Sequence, residues 1–385
     1  MSGDTTSLGV IVNGVTGRMG YRQHLVRSLL ALRDQGGVEL ADGTLLVPDP
    51  ILVGRDERKL AAIARRHRLE RWTTNLDEAL ADPSAPVYFD AQATQVREKA
   101  VKAAIEAGKH VYAEKPLAAT LESAVELAQL AERAGIRNGV VQDKLFLPGL
   151  VKLRRLLDGG SFGRVLSLRG EFGYWVFEGD WQPSQRPSWN YRAEDGGGIV
   201  LDMFCHWSYV LENLFGPVRA VTARAVTHIG ERWDENGHRY PATADDAAYA
   251  IFELPGGVVA QFNSSWCVRV RRDELLELQV DGVDGSAVAG LRGCWVQHRS
   301  ATPAAVWNPD EPDADRYRDQ WQPVPDNTDF ENGFKVQWEA FFRHVVDGAP
   351  FPHDFAAGAR GVQLAELGLR SSREGRRIDV PELVL

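Results

Sequence analysis

The sequence predicts an α/β chain: an N-terminal doubly wound parallel sheet, then a C-terminal α/β domain with a large, open and mostly antiparallel sheet. Three observations carry this. Short apolar runs alternate with longer amphipathic ones over residues 8–145, a glycine-rich turn follows the first of these runs, and after about residue 160 the texture changes to long β-rich runs. Strand, helix and strand in repetition imply parallel strands covered by helices on both faces.

The strand-like runs of the first half are residues 8–12, 51–53, 87–89, 110–112 and 139–141. Helical patterns lie at 57–66, 96–107 and 121–134, the last two stopped by Gly108 and Gly135, a common way for a helix to end. In the second half residues 165–172, 218–227, 247–254, 258–266 and 275–280 read as strands. Pro255-Gly256-Gly257 and Asp281-Gly282 read as hairpin turns. Residues 301–328, rich in Pro, Asp and Trp, read as a loop, and helical patterns at 335–346 and 356–371 close the chain. The expected domains are 1–145 and 146–385, with the C-terminal helices packing back on the first.

The 385 residues carry 44 Lys and Arg against 53 Asp and Glu, a net charge of −9. A nucleic-acid surface would have to be a strong local exception. Hydrophobic residues at 44% and charged residues at 25% describe a folded globular chain rather than a disordered one. Cys205, Cys267 and Cys294 are scattered without CxxC spacing, so neither a disulfide framework nor a cysteine zinc site is expected, and a reducing cytoplasm fits. The N-terminus lacks a basic export signal and no run approaches ~18 apolar residues, so no membrane anchoring is expected.

Asn13-Gly14-Val15-Thr16-Gly17-Arg18-Met19-Gly20 follows a predicted strand and opens a predicted helix. Glycines there let the backbone turn tightly and set helix N–H groups against a pyrophosphate. The second strand ends in Val53-Gly54-Arg55-Asp56 after an apparent insertion at 34–50. An acidic residue in that place accepts hydrogen bonds from an adenosine ribose, and an arginine suits a 2′-phosphate. Asp56 favours NAD, Arg55 keeps NADP as an alternative, and a solvated turn opening the next helix is the third reading.

Farther on, Lys115 stands before Pro116 at the predicted carboxyl end of a parallel strand, where side chains face a ligand crevice. A lysine there can polarise or protonate an alkoxide oxygen. Asp202 and His206 are four residues apart after Gly196-Gly197-Gly198, a spacing that puts both on one face of a helix. The histidine suits removal of a hydroxyl proton near neutral pH. A metal site would need a third ligand, and no convincing one is found.

These stretches, the glycine turn, residues 107–116 (AGKHVYAEKP) and residues 196–206 (GGG…D…H), resemble the Gfo/Idh/MocA oxidoreductases. The resemblance implies a Rossmann domain followed by an α/β domain whose open sheet pairs subunits into a homodimer or homotetramer. It also implies a catalytic trio of Lys115, Asp202 and His206. The cofactor would be held by Gly14, Thr16, Gly17, Arg18, Met19, Arg55, Asp56, Thr94 and Glu114. Two positions depart from the family's habit, Arg97 where a histidine is frequent and Lys144 where an arginine is frequent. Both are carried as substrate contacts, together with Trp175, Trp189 and Arg192, since aromatic faces stack on sugars and arginine forks bind anions.

The expected function is hydride transfer at a ring carbon of a sugar or glycoside. The favoured form is a redox-neutral, NAD-dependent glycoside hydrolase acting at C3 of an anionic glycoside such as a sulfoquinovoside. The alternative is a simple sugar or inositol dehydrogenase. A non-catalytic dinucleotide-binding sensor is the reading from another class.

Overall fold

A strand in a covered parallel sheet must be apolar on both faces, and Val10, Ile11 and Val12 are fully buried. The computed structural model describes residues 4–304, 310 and 317–385. In chain order the first half holds β1 (Thr5–Asn13), α1 (Met19–Leu30, continued by Ala31–Asp34), β2 (Val38–Glu39), β3 (Leu45–Val53), α2 (Glu57–His67) and β4 (Trp72–Thr73). It continues with α3 (Leu76–Ala81), β5 (Val87–Asp90), α4 (Thr94–Glu106), β6 (His110–Ala113), α5 (Leu121–Arg133) and β7 (Asn138–Val140). Next come α6 (Pro148–Asp158), β8 (Val165–Gly173), α7 (Ile199–Phe215), β9 (Ala220–Val226), β10 (Glu231–Trp233), β11 (Arg239–Pro241), β12 (Ala247–Glu253) and β13 (Val259–Ser265). The chain ends with β14 (Leu276–Gly282), β15 (Gly285–Ala289), β16 (Cys294–His298), β17 (Gln322–Pro323), α8 (Gly333–Asp347), α9 (Phe355–Glu374) and β18 (Ile378–Asp379).

Two compact units result. The first comprises residues up to Phe146, Glu331–Glu366 and Glu382–Leu385, the second Leu147–Phe330 and Leu367–Pro381. In the first unit seven strands form one sheet, β2-β3-β1-β5-β6-β7, with β4 also on β3. Every pairing is parallel except that of β2 with β3. The strand order reverses between β1 and β5, which opens a crevice at their carboxyl ends. Trp338, Phe341 and Phe342 of α8 share one buried cluster with Val12, Phe89 and Tyr112, which is why this late helix counts with the first unit.

One expectation is corrected here: the second long strand begins at Leu45 rather than at residue 51, and β2, within the apparent insertion 34–50, pairs with its start as a hairpin. The expected helix after the glycine turn is present and is widely wound in π fashion over Met19–Leu30.

In the second unit nine strands run β17-β16-β15-β14-β8-β13-β12-β9-β18. β8 and β13 are parallel and the other pairs antiparallel. Pro255–Gly257 joins β12 to β13 as expected. Asp281-Gly282 instead remains within β14, at a register shift, and the turn falls after it. The supposed loop 301–328 contributes β17 to the sheet, while 305–309 and 311–316 lie outside the described residues. The last turns of α9 and β18 belong to this unit, since β18 pairs with β9. Among the described residues no helix is long and apolar enough to cross a membrane.

His353 of the first unit is buried, and its Nδ1 lies 2.7 Å from Gln142 Oε1. Burial lowers its pKa to about 4, below the ordinary ~6.5. The folded state therefore refuses a proton that the unfolded chain accepts below pH ~6.5. Stability from this group is present above that pH and is lost as pH falls towards 4, by about 3 kcal/mol in all. Urea denaturation at pH 7 and pH 4 should show the chain losing about that much more than His353→Asn. Equal losses would contradict the assignment.

Candidate functional site

At the end of β1 the backbone turns through Gly14 with φ of 82°. A Cβ at Gly14 would lie 2.8 Å from the carbonyl carbon of Ala91, so only glycine lets the turn lie against the chain leaving β5. Gly14 N donates to Val53 O at 3.1 Å, tying the turn to β3. Gly17 and Arg18 are exposed, Thr16 and Met19 partly so, and they lead into the N-terminus of α1, whose N–H groups suit an anion.

Asp56 caps α2, accepting a hydrogen bond from Lys59 N at 3.0 Å, and that bond holds its carboxyl below the usual range. It remains half-exposed beside exposed Arg55. Close to the turn, Gln92 Oε1 is buried with no hydrogen-bond partner, an orphan that a ligand donor would satisfy. The glycine cradle, a capping anion at the tip of β3 and this orphan fit a dinucleotide. Thr94, the first residue of α4, is buried beneath the same edge.

β6 runs into Glu114-Lys115-Pro116. Glu114 Oε2 accepts a hydrogen bond from Lys115 N at 3.1 Å, and Oε1 lies 2.8 Å from His24 Nε2. Trp338 Nε1 donates to His24 Nδ1 at 3.0 Å. An indole N–H only donates, so Nδ1 accepts and the imidazole proton sits on Nε2, donating to Glu114. Burial pushes the Glu114 carboxyl up, but the His24 hydrogen bond and the charges of Lys115 and Arg97 outweigh it, leaving it below its usual value.

Arg97, expected as a substrate contact, is 2% exposed and its donors are taken up within its own unit. Its Nε donates to Asp90 Oδ1 at 3.0 Å, one Nη to the carbonyl of Gln92 at 2.7 Å and the other to the carbonyl of Pro116. Burial raises the Asp90 carboxyl, and Arg97 acts against that rise. Lys144 is partly buried, with Asp143 3.7 Å away.

In the second unit, Asp202 and His206 lie on α7, as their spacing implied. Val200 N donates to Asp245 Oδ2 at 2.7 Å, and Ile199 N to the carbonyl of Asp245 at 2.9 Å, so the start of the helix is anchored by this aspartate. Gly198 has φ of 117°, and a Cβ there would meet the Asp245 carboxylate at 2.7 Å. That contact accounts for a glycine at the helix start. His206 is 4% exposed, with Nδ1 2.7 Å from the Tyr209 hydroxyl. Asp202 accepts from Arg186 at 2.9 Å, and the Arg186 guanidinium lies 4.2 Å from the centre of the Trp266 ring.

The other expected substrate contacts are spread along the neighbouring segment. Arg269 stacks on Trp175 at 3.9 Å. Trp189 stands partly buried in the short helix Ser188–Tyr191. Arg192 lies 4.3 Å from the Tyr240 ring and 3.8 Å from Asp195. Each of these guanidinium groups thus meets a ring or carboxylate of its own unit. Sequence reasoning missed His24, Trp338, Asp90 and Asp245, none of which carries a local motif. Among the described residues no cluster of three or more His, Cys, Asp or Glu is arranged to hold a metal ion.

The first unit thus offers a dinucleotide cradle and an ammonium, the second a carboxylate and an imidazole. Comparison with known proteins agrees with this chemistry. The profile for the GFO/IDH/MocA oxidoreductase family, NAD-binding Rossmann fold, matches residues 11–141, and that for its C-terminal domain matches 150–288. A protein called D-xylose dehydrogenase from Paenarthrobacter nicotinovorans is 59% identical over 385 residues, 99% of each chain. Levoglucosan dehydrogenase solved with NADH and levoglucosan superposes with a TM-score of 0.78 at 22% identity, over 98% of this chain and 100% of that one. An aldose-aldose oxidoreductase from Caulobacter crescentus gives 0.75 at 18% identity, over 97% and 100%. The last two speak to the fold.

Replacing Asp56 by Ala should weaken NAD binding about tenfold, the loss of one charge-assisted hydrogen bond, while NADP binding changes less. Titration of intrinsic tryptophan fluorescence with each nucleotide checks it. Equal weakening of both would show that Asp56 serves α2 alone.

Proposed function

The chain belongs to the GFO/IDH/MocA oxidoreductase family, and we propose that it is an NAD-dependent dehydrogenase of a neutral aldopyranose of the D-xylose type, oxidised at its anomeric carbon. The observation that carries this is the 59% identity to a D-xylose dehydrogenase along 99% of both chains. The dehydrogenase alternative is thereby preferred to the redox-neutral glycosidase that the sequence reading favoured. The arginines point the same way. The anionic-glycoside reading needed guanidinium forks facing the ligand, and Arg97, Arg186 and Arg192 are engaged with Asp90, Asp202 and Asp195. A sugar without a charged substituent makes no demand on them.

Bound NAD supplies the acceptor for the hydride that leaves the sugar carbon. The residues must then manage the oxygen on that carbon, which turns from hydroxyl to carbonyl and sheds a proton. His206 takes this proton through Nε2, with Tyr209 orienting the ring through Nδ1. Lys115 stabilises the negative charge that builds on the oxygen. Asp202, already accepting from Arg186, receives a hydrogen bond from a neighbouring hydroxyl and fixes which carbon is presented. Glu114 belongs to the support of Lys115, through its backbone N–H. The product of anomeric oxidation is a lactone, with one proton released.

The chain with NAD and D-xylose should accumulate NADH at 340 nm together with aldonate from the opened lactone. D-Glucuronate should be the poorer substrate. Lys115→Ala should lower the rate roughly 10²–10⁴-fold. Phenol released from an aryl sulfoquinovoside without net NADH would reverse the preference and restore the glycosidase, and NAD binding with no turnover of any sugar in such a panel would leave the sensor.

A further inference from the structure

Asn13, Tyr88, Asp90 and Arg97 form a run of hydrogen bonds that the reaction itself does not use. Asn13 Nδ2 donates to the Tyr88 hydroxyl at 2.8 Å, and that hydroxyl donates to Asp90 Oδ2 at 2.7 Å. Arg97 Nε closes on the other Asp90 oxygen. None of the four residues is more than 3% exposed. The run therefore links the last residue of β1, immediately before the glycine turn, to the last residue of β5 and to α4. Arg97 then extends it to the carbonyls of Gln92 and Pro116. A guanidinium is planar and its donors leave in fixed directions, so anchoring Nε and one Nη dictates where the other points.

We propose that Arg97 is a positioning residue for Lys115, an inference that rests on the assignment of Lys115 to the reaction. Lys115 is gripped on both sides. Its own N–H is held by Glu114 Oε2, and the carbonyl of the following residue is held by Arg97. The backbone of Lys115 is thereby fixed, and its flexible four-carbon stem searches from a defined origin. Misplacement of a reacting group by about 1 Å can cost about 10²-fold in rate.

Arg97→Lys is the informative change. It keeps a cation beside Asp90, so no buried carboxylate is stranded, but its donors radiate from a single atom and cannot reproduce the fork. With the aldose that the chain oxidises, kcat should fall about 10–100-fold, while the KM values for NAD and sugar move less than about threefold. In a Lys115→Ala background the same change should cost nothing further, because its effect passes through the absent ammonium. An equal factor lost in both backgrounds, or no loss in either, would overturn the proposal. Wild-type turnover by Lys115→Ala alone would instead sink the role given to Lys115, a separate failure. If Arg97→Lys does not fold, Asp90→Asn with Arg97→Gln removes both charges together and enters the same cycle with the same expectations.

Discussion

The buried pair of Asp90 and Arg97 is the constraint from which the first unit's site is built. A carboxylate with no exposed surface is costly unless it is ion-paired and hydrogen-bonded, and Asp90 has Arg97, the Tyr88 hydroxyl and Gln92 N–H around it. Breaking such a pair from one side typically costs about 3–5 kcal/mol. The arrangement sits where β1, β5 and β6 end, the place at which an open parallel sheet presents loops to a ligand. Stability and the proposed site thus draw on the same few residues, and the loops bearing the glycine turn and Lys115 inherit the rigidity of the sheet.

The second unit solves a related problem with aromatic rings. Arg186 lies over Trp266 and pairs with Asp202, while Arg232 lies over Tyr191 and pairs with Asp246. The Tyr191 and Trp266 rings meet edge to face at 5.3 Å. Cations on ring faces are attracted by the ring quadrupole, the more so when desolvated. The result is a stack closed at each end by a carboxylate, and one of those carboxylates is Asp202. The Arg186 contact fixes the direction of the Asp202 carboxylate.

Periodicity made β1, α2, α4, α5 and the long strands of the second unit legible, because their patterns are local and repeat over many residues. The glycine turn, Lys115 and the Asp202–His206 spacing were legible because the resemblance rests on contiguous stretches. What escaped was set by partners distant in the chain. Trp338 meets His24 across 314 positions, and no local pattern announces that the support of Lys115 begins on α8. The partners of Arg97 were hidden for the same reason: residue type is visible, but whether a guanidinium meets solvent, sugar or a buried aspartate is decided by folding. Likewise β17 and β2 are two-residue strands, defined by the edge they join rather than by any pattern of their own.

In the proposed reaction hydride leaves the carbon whose hydroxyl is oxidised to a carbonyl, C1 of an aldopyranose. The most direct measurement follows an isotope from D-xylose deuterated at C1 into the nicotinamide. Mass spectrometry of the reduced cofactor should find one deuterium, with a slowed turnover where hydride transfer limits the rate. Unlabelled NADH formed while the deuterium stays in the sugar would place the chemistry at another carbon and contradict the account.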